Sequence, residues 1–197
     1  MTPDLSMTTD VSMIPEVSNT SRSGAEIFER KMLPHLNAAF TLARWLTGNV
    51  QDAEDAVQDA YLKALRFFGG YRGGDSRAWL LQIVRNTCYT RLRAKLPHSS
   101  STEFDEEVYI EECESQTPET IAIKSADVQL VRAAIQELPL RYREVLILRE
   151  VEGMSYSEMA TVLNQPLANI RSTLFRARQQ LKVRICTRST LHSPQAK

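Results

Sequence analysis

SYSEMATVLNQPLANIRSTLFRAR, residues Ser155 to Arg178, is the stretch that decides the fold of this chain. Ser155 and Glu158 stand in the S-x-x-E spacing of a capping box, where hydroxyl and carboxylate each satisfy an orphan amide at a helix start. Met159, Ala160, Val162 and Leu163 give that short helix a buried side. Asn164-Gln165-Pro166 then breaks it, since Asn tolerates a left-handed backbone and Pro suits a helix opening. Ile170, Leu174, Ala177, Leu181 and Ile185 follow at spacings of four, three, four and four, one apolar stripe at helical period. Arg171, Arg176, Arg178 and Lys182 fall off the stripe, and no acidic residue occurs between Gln165 and Lys197. A helix apolar on one side and cationic elsewhere suits the major groove of duplex DNA, with its phosphates and base edges. The segment predicts a DNA-binding helix-turn-helix.

Outward from this segment, a formal net charge of zero over 197 residues conceals a segregation. Residues 25–96 carry 11 basic and 7 acidic residues, and residues 128–188 carry 10 and 5. The acidity lies between them, at Glu103, Asp105, Glu106, Glu107, Glu111, Glu112, Glu114 and Glu119. Two basic blocks joined by an acidic tether is the pattern. The helical spacing of apolar residues in both blocks predicts an all-α fold: a first helical domain over 25–96, a flexible acidic linker over 97–124, and a second helical domain over 125–188. Residues 1–24, rich in Ser, Thr, Pro and Asp, read as a disordered tail, and 189–197 as a second tail. No stretch has the alternation of a β-strand.

Several function classes find no residues. No run has the length of a membrane-spanning helix, and no basic-then-apolar secretion signal opens the chain. Cys88, Cys113 and Cys186 are odd in number and scattered, which argues against a disulfide framework or a zinc site and fits a reducing cytoplasm. Cys88 reads as core filler, and Cys113 as the one exposed thiol. His35, His98 and His192 share no metal-ligand spacing, and GGYRGG lacks the Lys-Ser/Thr of a phosphate loop. No catalytic residue, metal site or cofactor is expected.

The first block has two faces of interest. Asp52 to Phe68 reads as a helix with Ala53, Ala56, Val57, Ala60, Ala64 and Leu65 on its apolar face. Asp52, Asp55 and Asp59 line the other side, where Asp59 and Lys63 are spaced for an i,i+4 pair. Such a face repels DNA and suits a protein partner. The loop Gly69 to Ser76 is punctuated by glycines and carries Tyr71 and Arg72. A helix over about Arg77 to Lys95 turns Leu80, Val84, Thr87 and Cys88 inward and gathers Gln82, Arg85, Asn86, Tyr89 and Arg93 on its flank. Aromatic faces with cations and an amide are what single-stranded nucleic acid requires: bases stack and arginines hold the backbone. Opening duplex costs about 1.4 kcal/mol per step, so a base outside the stack needs a pocket.

DAEDAVQDAYLKAL (Asp52 to Leu65) and YRGGDSRAWLLQIVRN (Tyr71 to Asn86) resemble the first module of bacterial sigma factors. LPLRYREVLILREVEGMSYSEMATVL and PLANIRSTLFRARQQL resemble the second, and the order and spacing match the extracytoplasmic-function (ECF) class. The resemblance implies a sigma factor that binds core RNA polymerase and directs initiation at particular promoters, without an enzymatic step of its own. It implies that the helix bearing Asp52, Asp55, Gln58 and Asp59 docks on a coiled coil of the polymerase's largest subunit. The loop and helix bearing Tyr71, Arg72, Asp75, Ser76, Trp79, Gln82, Arg85, Asn86 and Tyr89 would capture a flipped base and separate the strands at the −10 element. The helix bearing Leu167, Ala168, Asn169, Arg171, Ser172, Phe175, Arg176 and Arg178 would read the −35 element as duplex. The tether would thread the polymerase's RNA-exit path, imitating nucleic acid by its charge. An anti-sigma factor and promoter DNA complete the implied partners, all in the cytoplasm with no membrane insertion. Positions 168–173 read Ala-Asn-Ile-Arg-Ser-Thr where the family often has Gly-Thr-Val-Lys-Ser-Arg, so the base preference does not carry over. A stand-alone helix-turn-helix regulator with a ligand- or partner-binding first block is the other reading; it predicts tight operator binding without polymerase.

Overall fold

A computed structural model describes residues 19–95 and 126–192 of the chain. All regular structure among them is helical. The first block holds α1 (Asn19–Met32), α2 (Leu36–Thr47), α3 (Val50–Phe67) and α4 (Ser76–Lys95). The second holds α5 (Ala126–Gln136), α6 (Leu140–Leu146), α7 (Tyr156–Leu163) and α8 (Leu167–His192). α1 begins inside the stretch expected to be a tail, and α8 runs into the one expected after residue 188. The acidic tether, with Cys113, lies outside the described residues.

Local chemistry sets the element ends. Gly48, at φ 84°, closes α2 in the left-handed region that favours glycine. Asn49 then caps α3, its side-chain oxygen accepting from the Asp52 amide at 2.8 Å. Ala53, Ala56, Ala60 and Ala64 form a fully buried stripe along α3, and Ala39 and Ala43 face inward from α2. Small side chains let α2, α3 and α4 pack closely together, with Leu42, Leu46, Leu80, Leu81 and Val84 filling the centre. α6 does not run as one α-helix to Glu152: Ile147–Val151 forms a π-helical turn, with the Glu152 amide donating to Ile147 O at 2.9 Å.

The two blocks share one continuous hydrophobic core. α6 packs against α2, and α7 lies across α4. Arg143, buried at the seam, donates to Trp45 O and Leu138 O, each at 3.0 Å, and also to Gln136 O. These carbonyls lie at or just past the C-terminal ends of α2 and α5, where helix dipoles favour a cation. Burial lowers the pKa of Arg143 to about 10, so it stays charged near neutrality. One guanidinium thus ties helices of both blocks together.

Candidate nucleic-acid interface

The helix-turn-helix forms as its residues dictate. The Ser155 hydroxyl accepts from the Glu158 amide at 3.3 Å, and the Glu158 carboxylate accepts from the Ser155 amide at 2.6 Å. The hydrogen bond to the Ser155 side chain holds the Glu158 pKa below the usual carboxylate value. Asn164 takes the left-handed conformation (φ 51°, ψ 48°) that ends α7. The Pro166 carbonyl accepts the first amides of α8, from Asn169 and Ile170. Ile170, Leu174 and Ala177 are buried, while Leu181 and Ile185 are half-buried as the helix leaves the core.

Leu167, Ala168, Asn169, Arg171, Ser172, Phe175, Arg176 and Arg178 are all exposed along α8. Phe175 is 64% exposed, an unburied aromatic on the outer side of the helix. Two of the arginines lean to one flank. Arg171 lies 5.7 Å from the Tyr156 ring centre, and Arg178 pairs with Glu150 at 2.6 Å. That pair is half exposed on both sides, so it is weak and can yield to a phosphate. Ala168, Ser172, Phe175 and Arg176 are left as the outward front.

The loop before α4 is built on an aromatic cluster. Tyr71 stacks on Phe68 (5.7 Å between centroids, 14° between planes) and tilts against Trp79 at 5.1 Å, while Lys31 lies 5.9 Å from its ring centre. The Tyr71 hydroxyl donates to Gly74 O at 2.7 Å, closing a turn in which Gly73 and Gly74 both have positive φ. A side chain at either glycine would strain this backbone. Asp75 accepts from the amides of Arg77 and Ala78, opening α4. Ser76 hydrogen-bonds His35 at 2.9 Å, and Arg72 is exposed. Trp79 is half-buried, at once a packing residue and a rim of the cluster.

Farther along α4 the expected surface is covered. Arg85 grips Glu144 of α6 in a fork, Nε to Oε2 at 2.7 Å and Nη2 to Oε1 at 3.1 Å. The Tyr89 hydroxyl donates to the same carboxylate at 3.0 Å, and its ring lies 4.6 Å from the Arg85 guanidinium. Arg77, at the other end, donates to Glu152 O at 2.8 Å and to the Glu152 carboxylate at 2.5 Å. Glu144 is 1% exposed. Burial pushes its pKa up, opposed by the hydrogen bond from Arg85. Gln82 is half-buried, and Asn86 stays exposed. A cavity of about 460 Å³ opens beside this contact, lined by Asn86, Thr90, Arg93, Leu140, Arg141 and Gln165 among others. Glu144 was not foreseen; in sequence it sits between Arg143 and the apolar run Val145 to Leu148, with no spacing that marks its burial.

On α3 the acidic face is partly neutralised from within. Arg91 of α4 bridges Asp55 at 2.8 Å and Asp59 at 2.5 Å, and Lys95 meets Asp52 at 2.5 Å. The expected Asp59–Lys63 pair is therefore replaced: Arg91 spans two carboxylates, and Lys63 donates to Thr87 at 3.2 Å. Gln58 is exposed, in line with Leu62 and Leu65, which are 60% and 51% exposed. Cys88 is fully buried as expected, whereas Cys186, which was not expected to be exposed, is. No cluster of His, Cys, Asp or Glu fit for a metal occurs among the described residues. Nor is any helix there long and apolar enough to cross a membrane.

Two family models match this chain: Sigma-70 region 2 over residues 32–96 and Sigma-70 region 4 over residues 129–181. The RNA polymerase sigma-H factor of Pseudomonas aeruginosa is 32% identical over 174 residues, spanning 84% of this chain and 89% of that protein. The ECF RNA polymerase sigma-E factor of Escherichia coli K12 is 33% identical over 137 residues, 66% of this chain and 72% of that one. This chain belongs to the ECF sigma factors. Among solved structures, the sigma factor RpoE of Bartonella quintana, crystallised with the anti-sigma factor NepR, matches with a TM-score of 0.66 and 27% identity. The match covers 81% of this chain and 97% of RpoE. CnrH, solved with the cytosolic domain of CnrY, shares the fold at a TM-score of 0.54. As a sigma factor the protein directs promoter-specific initiation by RNA polymerase; α2–α4 lie within the region 2 match, and the region 4 match spans most of α5 through the first half of α8.

Proposed function

We propose that this sigma factor grips a promoter at two places with two different chemistries. Region 4 reads duplex DNA at the −35 element through Ala168, Asn169, Ser172, Phe175 and Arg176, with Leu167, Arg171 and Arg178 on the flanks. Region 2 takes up the separated strand at the −10 element, with Tyr71, Arg72, Asp75, Ser76 and Trp79 at the loop and Gln82, Arg85, Asn86 and Tyr89 along α4. The observation that carries this reading is the pairing, in one chain, of an exposed arginine-bearing recognition helix with a stacked aromatic loop. Stacking suits unpaired bases and arginine forks suit duplex edges and phosphates.

Polymerase docks on α3. Asp52, Asp55 and Asp59 supply charge that Arg91 and Lys95 only partly offset, while Gln58, Leu62 and Leu65 supply the uncharged contact. The chain acts by binding, the chemistry being the polymerase's, and it works in the cytoplasm alongside that enzyme. An anti-sigma factor, of the kind named with RpoE of Bartonella quintana, is its regulator.

Run-off transcription with core polymerase and promoters from the same genome tests the reading. A sigma-dependent transcript is expected from a subset of them. Failure on every promoter, with tight operator binding by the chain alone, would favour a stand-alone regulator instead.

A further inference from the structure

The Tyr71 loop, proposed to receive the separated strand, is buttressed by the end of α1. Phe28 meets Phe68 and Tyr61 edge-on, at 5.2 Å and 6.4 Å between ring centres, and the Tyr61 hydroxyl donates to Met32 O at 2.9 Å. These contacts hold the last turn of α1, and the 3-10 turn Leu33–His35 that follows it, against the aromatic cluster. Two polar side chains thereby reach the loop. Lys31 is exposed, with its ammonium 5.9 Å from the centre of the Tyr71 ring. His35 Nε2 lies 2.9 Å from the hydroxyl of Ser76, the first residue of α4, in a contact that spans 41 residues of chain. Burial and then the charge of Arg77 lower the His35 pKa against the pull of Asp75, so the imidazole is neutral near neutrality.

We propose that Lys31 and His35 complete the −10 strand site: Lys31 holds the phosphate of the nucleotide whose base meets Tyr71, and His35 fixes the direction in which the Ser76 hydroxyl meets that base. The proposal rests on the reading of the Tyr71 loop as strand-binding. A base and its own phosphate are joined through one sugar. A base at Tyr71 therefore brings its phosphate within reach of a flexible four-carbon stem rooted beside the ring. Lysine acts there as a point charge that secures the backbone without reading sequence. His35 acts through another group. A hydroxyl has one donor and two acceptor positions, and a neutral imidazole binds it through a nitrogen that either donates or accepts. The bond to His35 uses one position of Ser76 and sets the directions of the others. His35 is thus a positioning residue, and Ser76 is the one that touches the base.

In the test, holoenzyme reconstituted from the full-length chain and core polymerase is titrated, at several salt concentrations, with a fluorescent single-stranded oligonucleotide carrying a non-template −10 sequence. Lys31→Ala is expected to weaken binding roughly fivefold and to reduce the salt slope by about 0.7, the share of one phosphate contact on a single strand. Arg30→Ala, which removes the neighbouring exposed cation, should change neither. His35→Leu and Ser76→Ala are each expected to weaken binding about threefold with the slope intact. Together they should cost no more than Ser76→Ala alone, because they break one contact. His35→Gln, which still offers Ser76 a hydrogen-bonding group, should bind as the unaltered chain does. An unchanged slope in Lys31→Ala, or an equal change in Arg30→Ala, would overturn the phosphate role. Additive losses in the double variant, or His35→Gln as weak as His35→Leu, would overturn the positioning role. Tyr71→Ala distinguishes these failures from failure of the site itself. If it binds as tightly as the unaltered chain, the strand-binding reading of the loop falls and the proposal with it. If it alone weakens binding, the loop stands without Lys31 and His35.

Discussion

Phe175 and Arg176 on α8 face solvent, whereas Arg85 and Tyr89 on α4 face a carboxylate of the same chain. Both helices pack one apolar side into a common core and turn cations outward. They differ in what lies opposite. The outer side of α8 is exposed, while that of α4 meets α6 and α7. On the proposed reading the difference suits the two tasks: duplex DNA meets a preformed surface, whereas a separated strand exists only once polymerase has arrived.

The largest effects on this comparison should come from the core. Ile170→Ala beneath α8 and Leu80→Ala beneath α4 each empty a fully buried site and are expected to cost about 2–5 kcal/mol. In urea unfolding followed by circular dichroism, both should lower the same transition, because the regions share one core. Two transitions, each sensitive to one substitution, would show that the regions fold separately.

A surface change should separate binding from folding. A bidentate arginine–base contact carries about 1–3 kcal/mol, so Arg171→Ala/Arg176→Ala is expected to reduce duplex promoter use by roughly tenfold or more. The unfolding midpoint should stay where it is. A fall in both together would make these arginines structural rather than readers.

Smaller again is the cap. Ser155→Ala removes half of the capping box and is expected to cost about 1 kcal/mol. Since Ser155 holds the Glu158 pKa down, the cap's contribution is present above the ordinary carboxylate range and lost as pH falls through the depressed value. Ser155→Ala should flatten that acid dependence in thermal melts. At the bottom of the scale, burial pushes the Cys88 thiol up to about 12, so iodoacetamide should label exposed Cys186 and spare Cys88 in the native protein.

The helix-turn-helix was legible because its determinants are local. Ser155 to Glu158, the left-handed Asn164 and the stripe from Ile170 each act within a turn or two of chain. The same holds for the inward row Leu80, Val84, Thr87 and Cys88. The contact of α4 with Glu144 was not legible, since Glu144 lies 59 residues from Arg85 and 55 from Tyr89. In sequence Arg85 and Tyr89 read as open to nucleic acid, and nothing marks Glu144 as their partner. Asp59 failed for a related reason: its local partner Lys63 was outcompeted by Arg91, which is 32 residues away yet reaches two carboxylates at once. Periodicity shows which side of a helix is polar, but not what a distant element will set against it.

Initiation on paired and artificially opened templates tests the division of labour most directly. Reconstituted polymerase carrying Arg72→Ala/Asn86→Ala, or Arg171→Ala/Arg176→Ala, would be assayed on one promoter, fully paired or with mismatched −10 bases. The α4-side pair is expected to fail on paired DNA and recover once the −10 bases are already apart. The α8 pair should stay impaired on both templates. Equal recovery of both pairs, or recovery of neither, would contradict the assignment of strand capture to α4 and duplex reading to α8.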